Sequence, residues 1–283
     1  MKTILCPTDF SLNSEQAVKY AASLADSFHN RLVILHAIET PAVFTEVPFT
    51  SIKVSENVML ELAGQKLQVL KSKLTKQYPS LTIETNVAVG LTHERIVDAA
   101  DQNGAEFIVM GTTGTSKLER MLMGSTTAKV IGRANCPVLC IPKTATFKGI
   151  RKIVFATDMH EDNLESARHI GLFARHFDAE IIFIFVDDKH LVHSEERIER
   201  MTKKIRSRIK YPKISGYIVS SNSIISGIEK FLKKYPADAL VMFSHEKHFP
   251  GTMFSQSITK LMSHQARIPL LALKLSTESL LKE

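Results

Sequence analysis

The chain has 283 residues, of which 44% are hydrophobic and 23% charged, with 36 Lys and Arg against 29 Asp and Glu for a formal net charge of +7. That length is about two ordinary domains, and the composition is that of a globular chain, which excludes disordered and fibrous classes. The longest apolar runs, such as residues 181–186, are too short to cross a bilayer, so no membrane partner is expected.

The stretch Ile4-Leu5-Cys6 runs straight into Pro7-Thr8-Asp9 and predicts a buried strand ending in a turn, with no leader pattern ahead of it. Ala17, Ala21, Leu24, Ala25 and Phe28 recur at helical spacing and predict a first helix, followed by a strand at 32–37. Leu60, Ala63, Leu67, Leu70 and Leu74 mark a second helix closed off by Pro79. Strands are expected at 81–89, 105–110 and 137–141, and again at 153–156, 181–186, 214–219, 239–243 and 270–273. Strands alternating with helices predict parallel sheets covered on both faces. Cys6, Cys136 and Cys140 fall at apolar strand ends, and an odd count without a secretory pattern predicts a cytoplasmic protein with thiols as small core residues.

The second half repeats the first. An offset of 149 superposes Ile4, Thr8, Asp9, Ala25 and Phe28 on Ile153, Thr157, Asp158, Ala174 and Phe177. An offset of 132 superposes Ile96, Val109, Met110, Ser125, Thr127, Pro137 and Leu139 on Ile228, Val241, Met242, Ser257, Thr259, Pro269 and Leu271. The 17-residue difference between the offsets places extra material in the first half, assigned to a polar loop at residues 41–57. The expected organisation is a first domain at 1–142, a linker at 143–149 and a second domain at 150–283.

Gly111-Thr112-Thr113-Gly114, nine residues, then Gly124-Ser125 lies between an apolar strand and a predicted helix. Glycines let backbone N–H groups approach an anion, and a helix N-terminus adds unpaired donors, so this is the chemistry of a phosphate site. Ser125 and Thr126 add hydroxyls there. Neither a Walker-type run nor a dinucleotide fingerprint occurs. The pattern G-x2-G-x9-G-[ST] instead resembles the ATP-binding signature of the universal stress protein family, and the opening strand into Pro7-Thr8-Asp9 is similar to that family's start. The resemblance implies an α/β, Rossmann-like doubly wound fold, with five-stranded parallel sheets of order 3-2-1-4-5 in each of two tandem domains. It also implies ATP, with magnesium, held in the first domain by Pro7, Asp9, Ala37, Met110, Gly111, Gly114, Gly124, Ser125 and Thr126. Asp9 and Ala37 would lie by the adenine and ribose. No nucleophile–base constellation is readable, so the implied role is a structural or regulatory ligand in stress signalling, with at most slow hydrolysis. The family's dimers imply an internal pseudo-dimer through strands 138–141 and 270–273, and leave a homodimer of whole chains open.

In the second half the offset puts Phe243, Glu246 and Gln256 where the first has Gly111, Gly114 and Gly124. Bulk and a carboxylate there predict loss of the phosphate cradle, although Asp158 and Ser257 remain. Residues 1–142 carry 13 basic and 13 acidic side chains, so the whole surplus of +7 lies beyond them, with eight of the 11 histidines. The run Lys203, Lys204, Arg206, Arg208, Lys210 and Lys213 reads as a solvated helix face and not a nucleic-acid surface, because no aromatics interleave it. His245 and His248 are metal candidates too sparse to predict a site, since zinc needs three or four ligands. Two other classes remain open: a nucleotide-free interaction scaffold, and a metal- or small-ligand-binding protein using the histidine-rich half.

Overall fold

The computed structural model describes residues 2–39, 49–112, 124–157, 163–188, 194–244 and 268–274. Backbone contacts divide the chain into two compact units, changing over in this part of the sequence between Phe147 and Lys148. Among the described residues, no helix is long and apolar enough to cross a membrane.

The first unit alternates β1 (Thr3–Pro7), α1 (Leu12–Ser27), β2 (Arg31–Ile38), α2 (Phe49–Gln77), β3 (Ile83–Val89), α3 (Thr92–Gln102), β4 (Ala105–Gly111), α4 (Ser125–Arg133) and β5 (Val138–Ile141). Its strands lie in the order β3-β2-β1-β4-β5, and every pairing among them is parallel. The central strands are apolar on both faces, as a sheet covered by helices requires: Ile4, Leu5 and Cys6 are fully buried, as are Leu32, Ile34 and Leu35. Helix α1 begins at Ser11, whose side chain accepts from Ser14 N, and buries Ala17, Ala21, Leu24 and Ala25. It ends in a left-handed residue, His29 at φ 52°, with Asn30 N donating back to Ala25 O at 2.9 Å.

The second unit repeats the plan with β6 (Lys152–Ala156), α5 (Asn163–Phe177), β7 (Glu180–Asp187), α6 (Ser194–Ile209), β8 (Ile214–Ser220), α7 (Ile224–Lys234), β9 (Ala239–Ser244) and β10 (Leu270–Lys274). Its order is β8-β7-β6-β9-β10, again with parallel pairings. The strand registers carry the offsets read from the sequence. Ile4 opposes Phe107 and Ile153 opposes Ala239, while Ile108 opposes Val138 and Leu240 opposes Leu270. Even the helix-ending residue recurs, Asp178 taking φ 55° where His29 takes 52°.

The extra segment differs from its sequence expectation. It is not loop throughout: α2 already begins at Phe49 and runs 29 residues, against 16 in α6. Residues 49–57 contain neither proline nor glycine, and a helix nucleated further along extends through such a stretch at low cost.

Burial sets the state of the thiols. The Cys6 thiol is pushed up beyond any physiological range by complete burial, the Cys140 thiol to about 12 by the same cause, and Cys136 to about 11. All three are free and serve as packing residues.

Packing in the second unit is closest where α6 crosses β8. A Cβ on Gly216 would overlap Thr202 Oγ1, whose hydroxyl donates to Ile198 O at 2.7 Å, and would sit 3.1 Å from Ile198 Cγ1. Gly216→Ala is expected to destabilise this unit by about 1–3 kcal/mol, the usual cost of overpacking. The further change Thr202→Ala should recover part of that loss in a denaturant titration. Additive losses in the double variant would show that the contact is not what fixes this packing.

Candidate functional site

In the first unit the chain leaves β1 toward β2 on one side and reaches β4 on the other, so a crevice must open at their carboxyl ends. A cavity of about 320 Å³ lies there. The structure brings Pro7, Asp9, Ala37, Met110, Gly111, Gly124, Ser125 and Thr126 together on its wall. Gly114 falls outside the described residues, as do His245 and His248.

One end of the cavity is built for an anion. Gly124 is the N-cap of α4, Ala128 N closing on its carbonyl at 3.0 Å. Gly124 supplies no side-chain cap, and no acidic residue occupies the first turn. The first-turn N–H groups of α4 therefore stand at the cavity wall with the positive end of the helix dipole behind them. Gly124 N donates to Thr112 O at 2.8 Å and Thr112 N to Ile141 O at 3.2 Å, which ties both ends of the intervening segment to the sheet. Thr127 Oγ1 donates to Gly111 O at 3.0 Å, pinning α4 to the end of β4.

Gly111 is required by a close approach and not by its backbone angles. A Cβ there would lie 2.9 Å from Asn13 Nδ2 and 3.2 Å from Asn13 O, so glycine lets β4 end closest against the first turn of α1.

Two carboxylates, Asp9 and Glu39, also line the cavity. Thr8 N donates to Leu35 O at 2.8 Å, and the chain then turns through Phe10 at φ 61°. The turn is held by Phe10 N on Thr8 Oγ1 at 3.1 Å and Ser11 N on Asp9 Oδ1 at 3.0 Å. Partial burial alone would raise the Asp9 carboxyl, but hydrogen bonds from Ser11 and Ser14 outweigh it and hold the group below the ordinary aspartate range. The His36 ring lies 4.5 Å from that of Phe10, and its Nδ1 donates to Thr8 O at 2.8 Å, the carbonyl being able only to accept.

Sequence reasoning missed Ser14, Glu39, Thr92, Ile96 and Thr127, which also line the cavity. Thr127 was legible as a repeated position, matched by Thr259. Glu39 and Thr92 meet only because β2 and α3 are neighbours in space, and nothing in their local sequence announces it.

The second unit carries bulkier residues at two of these positions. Phe243 takes the place of Gly111 and is 1% exposed, its ring 5.0 Å from that of Phe155, which in turn lies 4.8 Å from Phe183. Val186, at the position of Ala37, packs where Gly227 would place a Cβ only 2.5 Å from Val186 Cγ1. Asp158, Glu246, Gln256 and Ser257 lie outside the described residues. Among the described residues, no group of three or more His, Cys, Asp or Glu could hold a metal ion.

The comparisons with known proteins agree with this architecture. A universal stress protein of Methanocaldococcus jannaschii is 32% identical over 142 residues, covering 50% of this chain and 82% of its own length. One from Mycobacterium tuberculosis is 23% identical over 295 residues, covering 96% of this chain and 97% of its own. Among solved structures, a universal stress protein from Archaeoglobus fulgidus superposes with a TM-score of 0.70 at 18% identity, over 97% of this chain and 98% of that one, which shows the shared fold. The model of the universal stress protein family matches residues 1–142, and this chain belongs to that family.

Proposed function

We propose that the first unit binds ATP, with magnesium, as a structural or regulatory ligand of a stress-response protein, and that the second unit keeps the fold without that site. The observation that carries the reading is the cavity at the ends of β1 and β4, with the N-terminus of α4, which has no side-chain cap, on its wall. The first-turn N–H groups of α4 and the hydroxyls of Ser125 and Thr126 are donors for a triphosphate. Ala37, Ile96 and Met110 offer apolar surface to a base. Magnesium would neutralise charge on the phosphates, beside the dipole and neutral donors of α4. In the second unit a buried phenylalanine, Phe243, stands at the position of Gly111, which supports a single nucleotide site per chain.

ATP with magnesium at about 100 times its dissociation constant should add about 2.7 kcal/mol to the first unit's stability, read as an upward shift in thermal melting. Gly124→Glu, which sets a carboxylate at the helix start, should abolish that shift. A wild-type melt indifferent to ATP would reject the proposal.

Asp9 gives the ligand-free protein a pH signature. Its folded value is depressed, so its ionised form contributes stability that is complete above the ordinary aspartate value and is lost as pH falls through the folded value. Asp9→Asn should therefore be less stable than wild type near neutrality and converge with it under strong acid. A gap that stays constant with pH in urea titrations would show that the hydrogen bonds of Asp9 do not depend on its charge.

A further inference from the structure

Helix α2 is longer than its place in the fold requires. It runs 29 residues, whereas its counterpart α6 completes the second unit with 16. One side of α2 packs on the sheet through Ala63, Leu67 and Leu74, which are buried. Another side carries Val58, Met59, Leu62 and Val69, each 47–56% exposed. Large apolar side chains scattered singly need no explanation, but four on one helix face mark an interaction surface. Residues 58, 62, 65 and 69 are spaced four, three and four apart, which is the seam by which one helix pairs with another. Three of those four are apolar, and the fourth, Gln65, donates to Glu61 Oε1 of its own helix at 3.3 Å.

The charges of the helix say what fits the seam. From 56 to 62 the charged residues are Glu56 and Glu61, and from 63 to 76 they are Lys66, Lys71, Lys73 and Lys76. The helix dipole does not account for this polarity, since it acts within the terminal turns and the first turn of α2 has no acidic residue. Such a helix is complementary to its own reverse. Two copies running antiparallel about a two-fold axis set Glu56 and Glu61 of each beside the lysine stretch of the other, and a parallel pair would set like against like. In the register that uses the whole seam, Val58 lies against Val69 of the second copy and Leu62 against Gln65 of the second copy. A partner of other sequence would need the same polarity reversed, which a second copy supplies by symmetry. We propose that α2 is a self-association surface, pairing antiparallel with α2 of a second chain to give a dimer of whole chains through the first unit. The inference is independent of the nucleotide reading above.

The test is sedimentation velocity of the ligand-free full chain over about 1–100 μM, where a seam shorter than a standard interface dissociates. Wild type is expected to pass from monomer to dimer across this range. Leu62→Glu, which buries a carboxylate from each copy near the centre of the pair, should weaken the dimer about tenfold or more. Leu62 is half exposed, so the melt of that variant should match wild type. Orientation is read by oxidative cross-linking. Val58→Cys mixed with Val69→Cys should give a disulfide-linked dimer, and Val58→Cys alone should not, the native thiols being buried or partly buried. A wild type that stays monomeric would overturn the proposal and leave the stripe to a partner of another sequence. A dimer indifferent to Leu62→Glu would overturn it too, by placing the contact elsewhere. Cross-linking of Val58→Cys with itself would refute the antiparallel pairing. Should Leu62→Glu lower the melting temperature, the cysteine pair decides, and absence of the mixed cross-link refutes the pairing.

Discussion

The contact between Gly111 and Asn13 is the constraint on which both ends of the cavity depend. Strand β4 stops against the first turn of α1, with space for a hydrogen and not for a methyl group, a Cβ there lying 2.9 Å from Asn13 Nδ2. The carbonyl of Gly111 also receives the Thr127 hydroxyl, so the position of α4 is referred to the same residue. On the α1 side, Ser14 joins Thr8 through hydroxyls 3.0 Å apart, and Ser11 N holds Asp9 Oδ1. A side chain at 111 would displace the Asn13 amide and press on the Asn13 carbonyl, loosening the approach of β4 to α1 by a few tenths of an ångström. A binding cavity needs that separation held to within a fraction of an ångström.

The second unit shows that the fold does not need this arrangement. It preserves the strand order, the registers and a left-handed residue at the end of its first helix. What changes is the residue at one strand end, where glycine gives way to a phenylalanine buried against Phe155. A phenyl ring buried from solvent contributes on the order of 1.5–3 kcal/mol to stability. The change from glycine to phenylalanine at this strand end therefore adds to the core of the second unit.

Legibility in the sequence followed the range of the interactions. Apolar strands such as Ile4-Leu5-Cys6 announce themselves because burial on both faces leaves no polar position. The α1 face was legible because Ala17, Ala21, Leu24 and Ala25 all bury, while its end at His29 was not, since αL geometry in a non-glycine residue leaves little local trace. Gly111 and Gly124 could be read as members of a spaced pattern. The reason for Gly111, an approach to Asn13 from nearly a hundred residues earlier, could not. Glu39 was invisible for the same reason, its carboxylate held by Thr92 N across two elements. The early start of α2 was misjudged because a polar stretch following Pro41 looks like a loop, and helix propagation from the C-terminal side leaves no mark there.

The turn carrying Asp9 is held by contacts within the protein, at a local energetic cost. A phenylalanine at φ 61° is held in the left-handed region at about 1–2 kcal/mol. Three contacts offset this: Phe10 N on Thr8 Oγ1, the Phe10 ring against His36, and Lys66 Nζ 5.3 Å above the ring centroid. Each depends on the protein alone. Fixing a side chain at the moment of binding costs about 0.5–1.5 kcal/mol, so a turn already held contributes to affinity without touching the ligand. The uncapped first turn of α4 obeys the same logic, since its N–H groups are fixed by the helix and need no reorientation toward an anion. Affinity at this cavity then rests partly on Phe10, His36 and Lys66, which its walls do not include, and a comparison of ligand contacts alone would undercount what holds the site.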